Sequence, residues 1–153
     1  IRFDAPLDMR MDRKEQITAA QIANSYSEDE LKRIFRKYAE LRNAAAISRK
    51  IAQARAEYPI ETVNDLKKSL AGIAPRGKEN QFYAKVFQAF RIEVNRELEV
   101  LEKFLERSAD LLKPGGRLVV MSYHSLEDRL VKNYMRAGNT SGIPEKDFYG
   151  HII

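Results

Sequence analysis

Helical periodicity dominates the hydrophobic pattern from residue 19 onward. Two Ser/Thr-x-x-Glu/Gln capping boxes, at Thr18 and Ser27, predict helices over 19–24 and 28–38. The apolar residues of the second helix recur at i, i+3, i+4 and i+7, which places them on one face: Leu31, Ile34, Phe35 and Tyr38. This face predicts packing against other helices.

Three further helical segments follow. A helix is predicted over 41–57, where Pro59 ends it, and another over 63–71, capped by Thr62. The longest segment, 81–112, fits either one helix or two with a bend. Its apolar residues form a near-heptad stripe: Phe87, Phe90, Val94, Leu98, Leu101, Leu105 and Leu112. The stripe predicts a face that packs on other helices.

After a Pro-Gly-Gly turn, the pattern changes to a short apolar run, which predicts a buried strand over 117–122. A helix is predicted to follow over 126–135, with Gly138 after its last turn. Because one strand cannot form a sheet, its neighbours must come from outside this chain or from a second copy. Exposed strand edges therefore predict a homodimer.

Polar residues cluster directly after this strand. Ligands of open α/β sheets bind beyond the carboxyl ends of the strands. The substrate-side candidates are accordingly His124, Ser125, Asp128 and Arg129. The alternative is that the segment HSLEDR merely opens the next helix, with Ser125 as N-cap and Asp128 completing the cap.

Composition restricts the classes of protein. With 153 residues, 44% hydrophobic and 32% charged, the chain reads as soluble and globular, and no apolar run approaches a membrane span. The absence of cysteine excludes disulfides and thiolate metal sites and suits the cytoplasm, and two histidines do not make a His-rich metal site, so no metal is predicted. The chain does not begin with Met and ends in a strand-like segment, so we expect a fragment.

Positive charge is concentrated in the middle helices. The chain carries +5 in total, whereas residues 32–55 hold eight Lys and Arg against one acid, a local +7. Such a density predicts salt-sensitive binding to a phosphate backbone. The candidates for RNA contact in this region are Arg33, Arg36, Lys37, Arg42, Arg49, Lys50 and Arg55. An ordinary solvated basic surface is the alternative.

Two other stretches contain candidate site residues. Arg91 and Asn95 lie one turn apart, where the arginine suits a phosphate and the asparagine a base edge. A helix-supporting Arg–Glu ladder is the alternative. The aperiodic opening loop around Pro6 contains Asp8 and Arg10. These residues are either the edge of an active site or solvent-exposed charges.

Three sequence blocks carry a family resemblance: FDAPLDMRMD, VFQAFRIEVNRELEVLEKFL and LKPGGRLVVMSYHSLEDRLVK. In this order they resemble the bacterial 16S ribosomal RNA cytosine-N4 methyltransferases of the MraW (RsmH) type. PGGRLVV alone is shared by many class I methyltransferases, whereas PLDMRMD and HSLEDR together with RIEVN are highly specific. The blocks cover about a third of the chain.

The resemblance implies an α/β fold, a partial Rossmann-like class I methyltransferase with an inserted all-helical domain. Residues 1–12 would be a loop of the methyltransferase domain, 13–96 the RNA-recognising insert, and 97–153 the returning helix, strand and helix. This fragment would itself be mostly α-helical. The implied reaction transfers a methyl group from S-adenosylmethionine to the N4 amine of a cytidine in the decoding region. The implied partner is 16S rRNA in the cytoplasmic small ribosomal subunit, with no membrane.

The chain also departs from the family pattern. The family's main S-adenosylmethionine motifs precede the PLDMRMD block, so no cofactor-binding residue is assigned here and the fragment itself is expected to be inactive. The family's usual Gly-Glu is Ala39-Glu40, and its usual FQALR has Phe90 in place of Leu. The alternative function is a non-catalytic helical module that binds RNA or, through the apolar stripe, a partner protein.

Overall fold

The structure, a computed structural model, describes residues 4–144, and most of these are helical. Seven helices follow one another within this range: α1 (Ala19–Ser25), α2 (Glu28–Ala39), α3 (Ala44–Glu57), α4 (Val63–Ser69), α5 (Glu79–Asn95), α6 (Glu97–Leu111) and α7 (Ser125–Ala137). The chain divides into two compact units, Ile1–Asn95 and Arg96–Ile153.

The first unit is built around the apolar faces of its helices. Helix α2 packs on both α3 and α5, and α1 packs on the same two helices. The rings of Phe35 and Phe90 meet edge to face with 5.5 Å between their centroids. Both rings are fully buried, as are Ile34 and Ile47. The predicted one-sided stripe of α2 is therefore confirmed, although Tyr38 at its end is only half-buried.

Side-chain caps determine where three of these helices begin. Thr18, Ser27 and Thr62 each accept a hydrogen bond from the backbone N–H three residues later, and that later side chain binds back to the N–H of the cap residue. Each box satisfies two of the N–H groups that a helix start leaves unpaired. The helices predicted from Thr18, Ser27 and Thr62 are confirmed to within two residues at their ends.

One predicted helix boundary is corrected, and one open alternative is decided. The third helix begins at Ala44 rather than residue 41, because Glu40 takes a left-handed conformation with φ 51° and a turn follows it. The long segment is two helices, because Arg96 takes φ 49° between α5 and α6. The apolar stripe is correspondingly divided: Phe90, Val94 and Leu105 are buried, whereas Leu112 is exposed.

The opening loop packs into the first unit. Leu7 is buried, its N–H donates to the carbonyl of Glu61 at 2.9 Å, and Pro6 forms an isolated antiparallel bridge with Thr62. Asp8 and Leu7 also accept hydrogen bonds through their carbonyls from the first residues of α1. The prediction of an aperiodic loop is confirmed for the described residues from Asp4 onward.

The second unit contains α6 and α7, which pack on each other. Between residues 96 and 144 the buried side chains are Leu105, Ser108 and Leu126. The predicted strand over 117–122 is not formed within the described residues, because no other described segment pairs with it. A strand requires a hydrogen-bonded neighbour. The α/β part of the predicted fold class is thus not formed by residues 4–144, whereas the mostly helical character is confirmed.

The start of α7 also differs from the sequence interpretation. His124, and not Ser125, is the N-cap residue, and its Nδ1 accepts a hydrogen bond from the N–H of Glu127 at 3.4 Å. The carboxylate of Glu127 in turn accepts from the N–H of Tyr123 at 2.9 Å. The helix ends at Ala137, and Gly138 follows in a left-handed conformation, as predicted.

Candidate nucleic-acid interface

Consecutive helices α2 and α3 present a basic surface to solvent. Their apolar faces are turned into the core, so the cations between the apolar positions project outward. We call five exposed members of this set the basic hairpin: Arg36, Lys37, Arg42, Arg49 and Lys50. Five exposed cations on two packed helices and their connecting turn suit a phosphate backbone.

The intramolecular contacts of the basic hairpin are weak. Nζ of Lys37 lies 5.3 Å from the centroid of the Tyr38 ring. Nε of Arg49 lies 3.9 Å from Oε1 of Glu28, and both side chains are largely exposed. Exposed pairs of this kind contribute little to stability. Exchanging such contacts for other partners would therefore cost little free energy.

Arg33 has a different environment from the basic hairpin. Its Nη2 donates to Oε1 of Glu93 at 2.7 Å, and the Glu93 side chain is only 13% exposed. The hydroxyl of Tyr26 donates to the same carboxylate oxygen at 3.1 Å. Burial, followed by the nearby Glu93 charge, raises the pKa of Tyr26 to about 12. Arg33, a predicted RNA ligand, is exposed and at the same time forms an ion pair that joins α2 to α5.

Arg55 binds the end of a neighbouring helix. It is half-buried, and its Nη1 donates to the backbone carbonyls of Ala23 and Tyr26, at the end of α1. A cation at a helix C-terminus satisfies unpaired carbonyls and interacts favourably with the helix dipole. Arg33 and Arg55 thus differ from the five cations of the basic hairpin, because each donates a hydrogen bond to another helix of the first unit.

Asn95 connects the end of α5 to the opening loop. Its Nδ2 donates to the carbonyls of Met9 and Arg91, both at 2.9 Å, and its Oδ1 accepts from the N–H of Met11 at 2.8 Å. These hydrogen bonds use both the oxygen and the nitrogen of the Asn95 side-chain amide, which the sequence suggested for contact with the edge of an RNA base. Arg91, one turn earlier, is half-buried.

The two charged candidates in the opening loop bind each other. Nε and Nη2 of Arg10 donate to the two carboxylate oxygens of Asp8 at 2.7 and 2.9 Å, and Nη1 reaches the carbonyls of Arg13 and Glu15. The Arg10 hydrogen bonds lower the pKa of Asp8. This bidentate pair determines the shape of the loop, which Asn95 holds on α5.

The remaining candidates lie in the first turns of α7. His124 is the N-cap, Ser125 is exposed at the first position, and the Asp128 carboxylate lies 3.4 Å from Nζ of Lys132. Arg129 is exposed on the same helix. The structure therefore brings these four residues together at one helix start, as their spacing requires.

Two acidic residues that the sequence interpretation did not select prove to be central. Glu93 binds Arg33 and Tyr26, and Glu97 lies close to His124 and Glu127. Both belong to the stretch RIEVNRE. Its alternating charges suggest, as one alternative, Arg–Glu pairs along a single helix. Nothing in the periodicity indicates partners on other helices.

The described residues include no helix that is both long and apolar enough to cross a membrane. The sequence over residues 2–147 matches the model of the MraW methylase family. The chain therefore belongs to this family of methylases, which confirms the resemblance carried by its three sequence blocks.

Individual relatives agree with this assignment. The chain is 54% identical to a protein of Cytophaga hutchinsonii and 53% identical to one of Flavobacterium psychrophilum, each over 151 residues. A protein of Christiangramia forsetii is 51% identical over 151 residues. Each is named ribosomal RNA small subunit methyltransferase H. The alignments include 99% of this chain but only 50–52% of each relative, so the chain spans about half their length.

Proposed function

We propose that this chain is the RNA-recognition part of an S-adenosylmethionine-dependent methyltransferase that modifies the N4 amine of a cytidine in the decoding region of 16S rRNA. The observation that carries the proposal is the basic hairpin on a chain of the MraW methylase family. The names of the relatives support a ribosomal RNA of the small subunit as the substrate. The reaction would take place in the cytoplasm.

The basic hairpin is assigned the role of docking the RNA. Its five cations are solvent-exposed, and the helices that bear them are fixed by a well-packed core. Rigid helices hold the backbone in place before binding, so little backbone conformational entropy is lost when phosphates bind. Release of counterions from the RNA then supplies affinity that depends on salt but not on sequence.

The proposed domain organisation assigns 13–96 to a helical insert, and 1–12 and 97–153 to the methyltransferase domain. The division between the two compact units at Asn95 supports the second boundary. The described part of the opening loop packs on the helical unit through Leu7 and Asn95. In this proposal the loop therefore joins the insert to the substrate side of the enzyme, with Asp8 and Arg10 maintaining its shape.

The described residues do not fit S-adenosylmethionine. The Gly115–Gly116 turn is exposed and leads into an extended segment rather than into a helix whose N-terminus faces a ligand. The family implies that this cofactor supplies the methyl group. We accordingly assign its binding to parts of the protein other than these residues. The substrate-side candidates His124, Ser125, Asp128 and Arg129 stay predictions.

Fluorescence anisotropy with a labelled 16S hairpin from the decoding region tests the docking role. We expect saturable binding by the chain that weakens as salt increases, and at least a tenfold loss in the triple variant Arg36→Glu, Arg42→Glu and Arg49→Glu. The matched control replaces three exposed cations of the second unit by glutamate: Arg107, Lys113 and Arg117. Equal binding by the wild type and the first triple variant contradicts the proposal.

The predicted dimer is retained as part of the proposal. Val119, Met121 and Tyr123 are each more than three-quarters exposed at alternating positions of the extended segment. This pattern supports pairing with a strand of a second copy. Sedimentation at increasing concentration is expected to show a dimer, and a monomer at all concentrations contradicts it.

A further inference from the structure

Three side chains suited to metal binding converge in the second unit. Among the described residues, one group has this property: a carboxylate oxygen of Glu97, a ring nitrogen of His124 and a carboxylate oxygen of Glu127 all lie within 4.8 Å of one another. Glu97 begins α6, whereas His124 and Glu127 lie at the start of α7. The packing of α6 on α7 therefore creates a group that the sequence separates by about 27 residues.

The imidazole of His124 gives independent evidence for a ligand. Its side chain is only 10% exposed, and its Nε2 is buried without a hydrogen-bond partner among the described residues. Oε1 of Glu127 lies 3.2 Å from Nε2, but not in a direction that makes a hydrogen bond. A buried polar atom without a partner is uncommon and unfavourable unless something binds it.

We propose that Glu97, His124 and Glu127 bind one divalent transition-metal ion of the Zn²⁺ class. Imidazole nitrogen and carboxylate oxygen are ordinary ligands of such ions, and two carboxylates neutralise the charge of the cation. Ligand atoms around one such ion lie about 3–3.5 Å apart, given metal–ligand distances of about 2.1 Å. Oε1 of Glu127 and Nε2 of His124 already lie 3.2 Å apart, and side-chain rotations that bring Glu97 to a similar distance complete the site.

Backbone groups already orient two of the ligands. The N–H of Tyr123 donates to Oε2 of Glu127 at 2.9 Å, which leaves Oε1 on the side of His124. The N–H of Glu127 approaches Nδ1 of His124 at 3.4 Å and fixes the ring with Nε2 toward the carboxylates. The contact at Glu127 is of the outer kind that is typical of metal ligands, whereas the contact at Nδ1 belongs to the metal-free ring.

Metal binding at Nε2 requires a change of tautomer. Because Nδ1 accepts a hydrogen bond, the neutral ring carries its proton on Nε2. The ion takes the place of this proton, which moves to Nδ1 through solvent, and the cap contact from Glu127 is given up. At 3.4 Å that contact is long for a hydrogen bond, so the exchange costs little.

Isothermal titration of the full chain with Zn²⁺ alone tests the proposal. We expect one ion per chain, with at least tenfold weaker binding after His124→Asn or Glu97→Gln. Asparagine is itself a good N-cap residue, so the first variant removes Nε2 and keeps the helix start. The matched controls are Glu99→Gln, an exposed neighbour on α6, and His151→Asn, which removes the other histidine. Both are expected to bind like the wild type.

Absence of saturable binding overturns the proposal, as does equal binding by the wild type, His124→Asn and Glu97→Gln. Circular dichroism establishes that each variant is folded. Nitrogen-15 NMR of the wild-type imidazoles gives a readout that needs no variant. We expect Zn²⁺ to shift Nε2 of His124, and a shift confined to His151 contradicts the assignment.

Discussion

Nη2 of Arg33 lies 2.7 Å from Oε1 of Glu93, and this ion pair joins α2 to α5. The hydroxyl of Tyr26 donates to the same oxygen, so one carboxylate connects three helices of the first unit. A polar group at such a junction restricts how the helices pack, because each donor has an acceptor in one arrangement only. The helix α2, which carries part of the basic hairpin, is therefore held on α5 by the largely buried carboxylate of Glu93.

Replacement of Glu93 by alanine is expected to lower the free energy of unfolding by about 1–2 kcal/mol, because Tyr26 and Arg33 lose their shared acceptor. Urea denaturation followed by circular dichroism measures the change. The exposed Glu57 at the end of α3 provides the control, and its replacement by alanine should change stability by less than about 0.5 kcal/mol. Equal effects of the two substitutions would contradict the central role of Glu93.

Asn95→Ala is expected to release the opening loop from α5. The substitution removes the bonds to Met9 and Met11, at a cost of about 1–2 kcal/mol. Amide hydrogen exchange is the direct measurement, because the N–H of Met11 should lose its protection. The exposed Asn80 near the start of α5 is the control position. Unchanged exchange at Met11 in Asn95→Ala would show that the clamp does not hold the loop in solution.

Alkaline pH is expected to destabilise the first unit. The pKa of Tyr26 is raised from 10.0 to about 12, so the folded state holds this proton more tightly than the unfolded state. The associated stability is complete below pH 10 and is lost as the pH rises through 12. Burial also raises the pKa of Tyr38, and its effect has the same sign. Unfolding experiments across this range should show a smaller loss for Tyr26→Phe, and identical curves contradict the assignment.

The two kinds of arginine should differ in how salt affects RNA binding. Arg36→Ala removes one exposed phosphate-binding cation and should reduce the slope of log affinity against log salt by about 0.7–0.9. Arg55→Met removes a cation that binds the end of α1, so it should lower stability and leave the slope unchanged. Anisotropy titrations at several salt concentrations measure both slopes. A reduced slope for folded Arg55→Met alone would reverse the assignment of the two residues.

Local interactions made the helical unit predictable from the sequence. A capping box needs only residues three apart, so Thr18, Ser27 and Thr62 mark helix starts with no knowledge of the rest of the fold. The family could likewise be identified from contiguous blocks such as PLDMRMD and HSLEDR. The strand over 117–122 is not formed within the described residues, because strand formation depends on a partner that the pattern of one segment does not contain.

The sequence by itself determined most of the helices, the three capping boxes, the concentration of positive charge and the family. Tertiary structure alone decided which cations bind a partner on another helix, since Arg33 and Arg36 look alike in a charge count but only Arg33 meets Glu93 of α5. The same holds for Glu97 and His124, which are distant in the chain and meet because α6 packs on α7. Short-range hydrogen bonds follow from the spacing of residues along the sequence, whereas contacts between helices form only when the apolar faces of those helices are buried together.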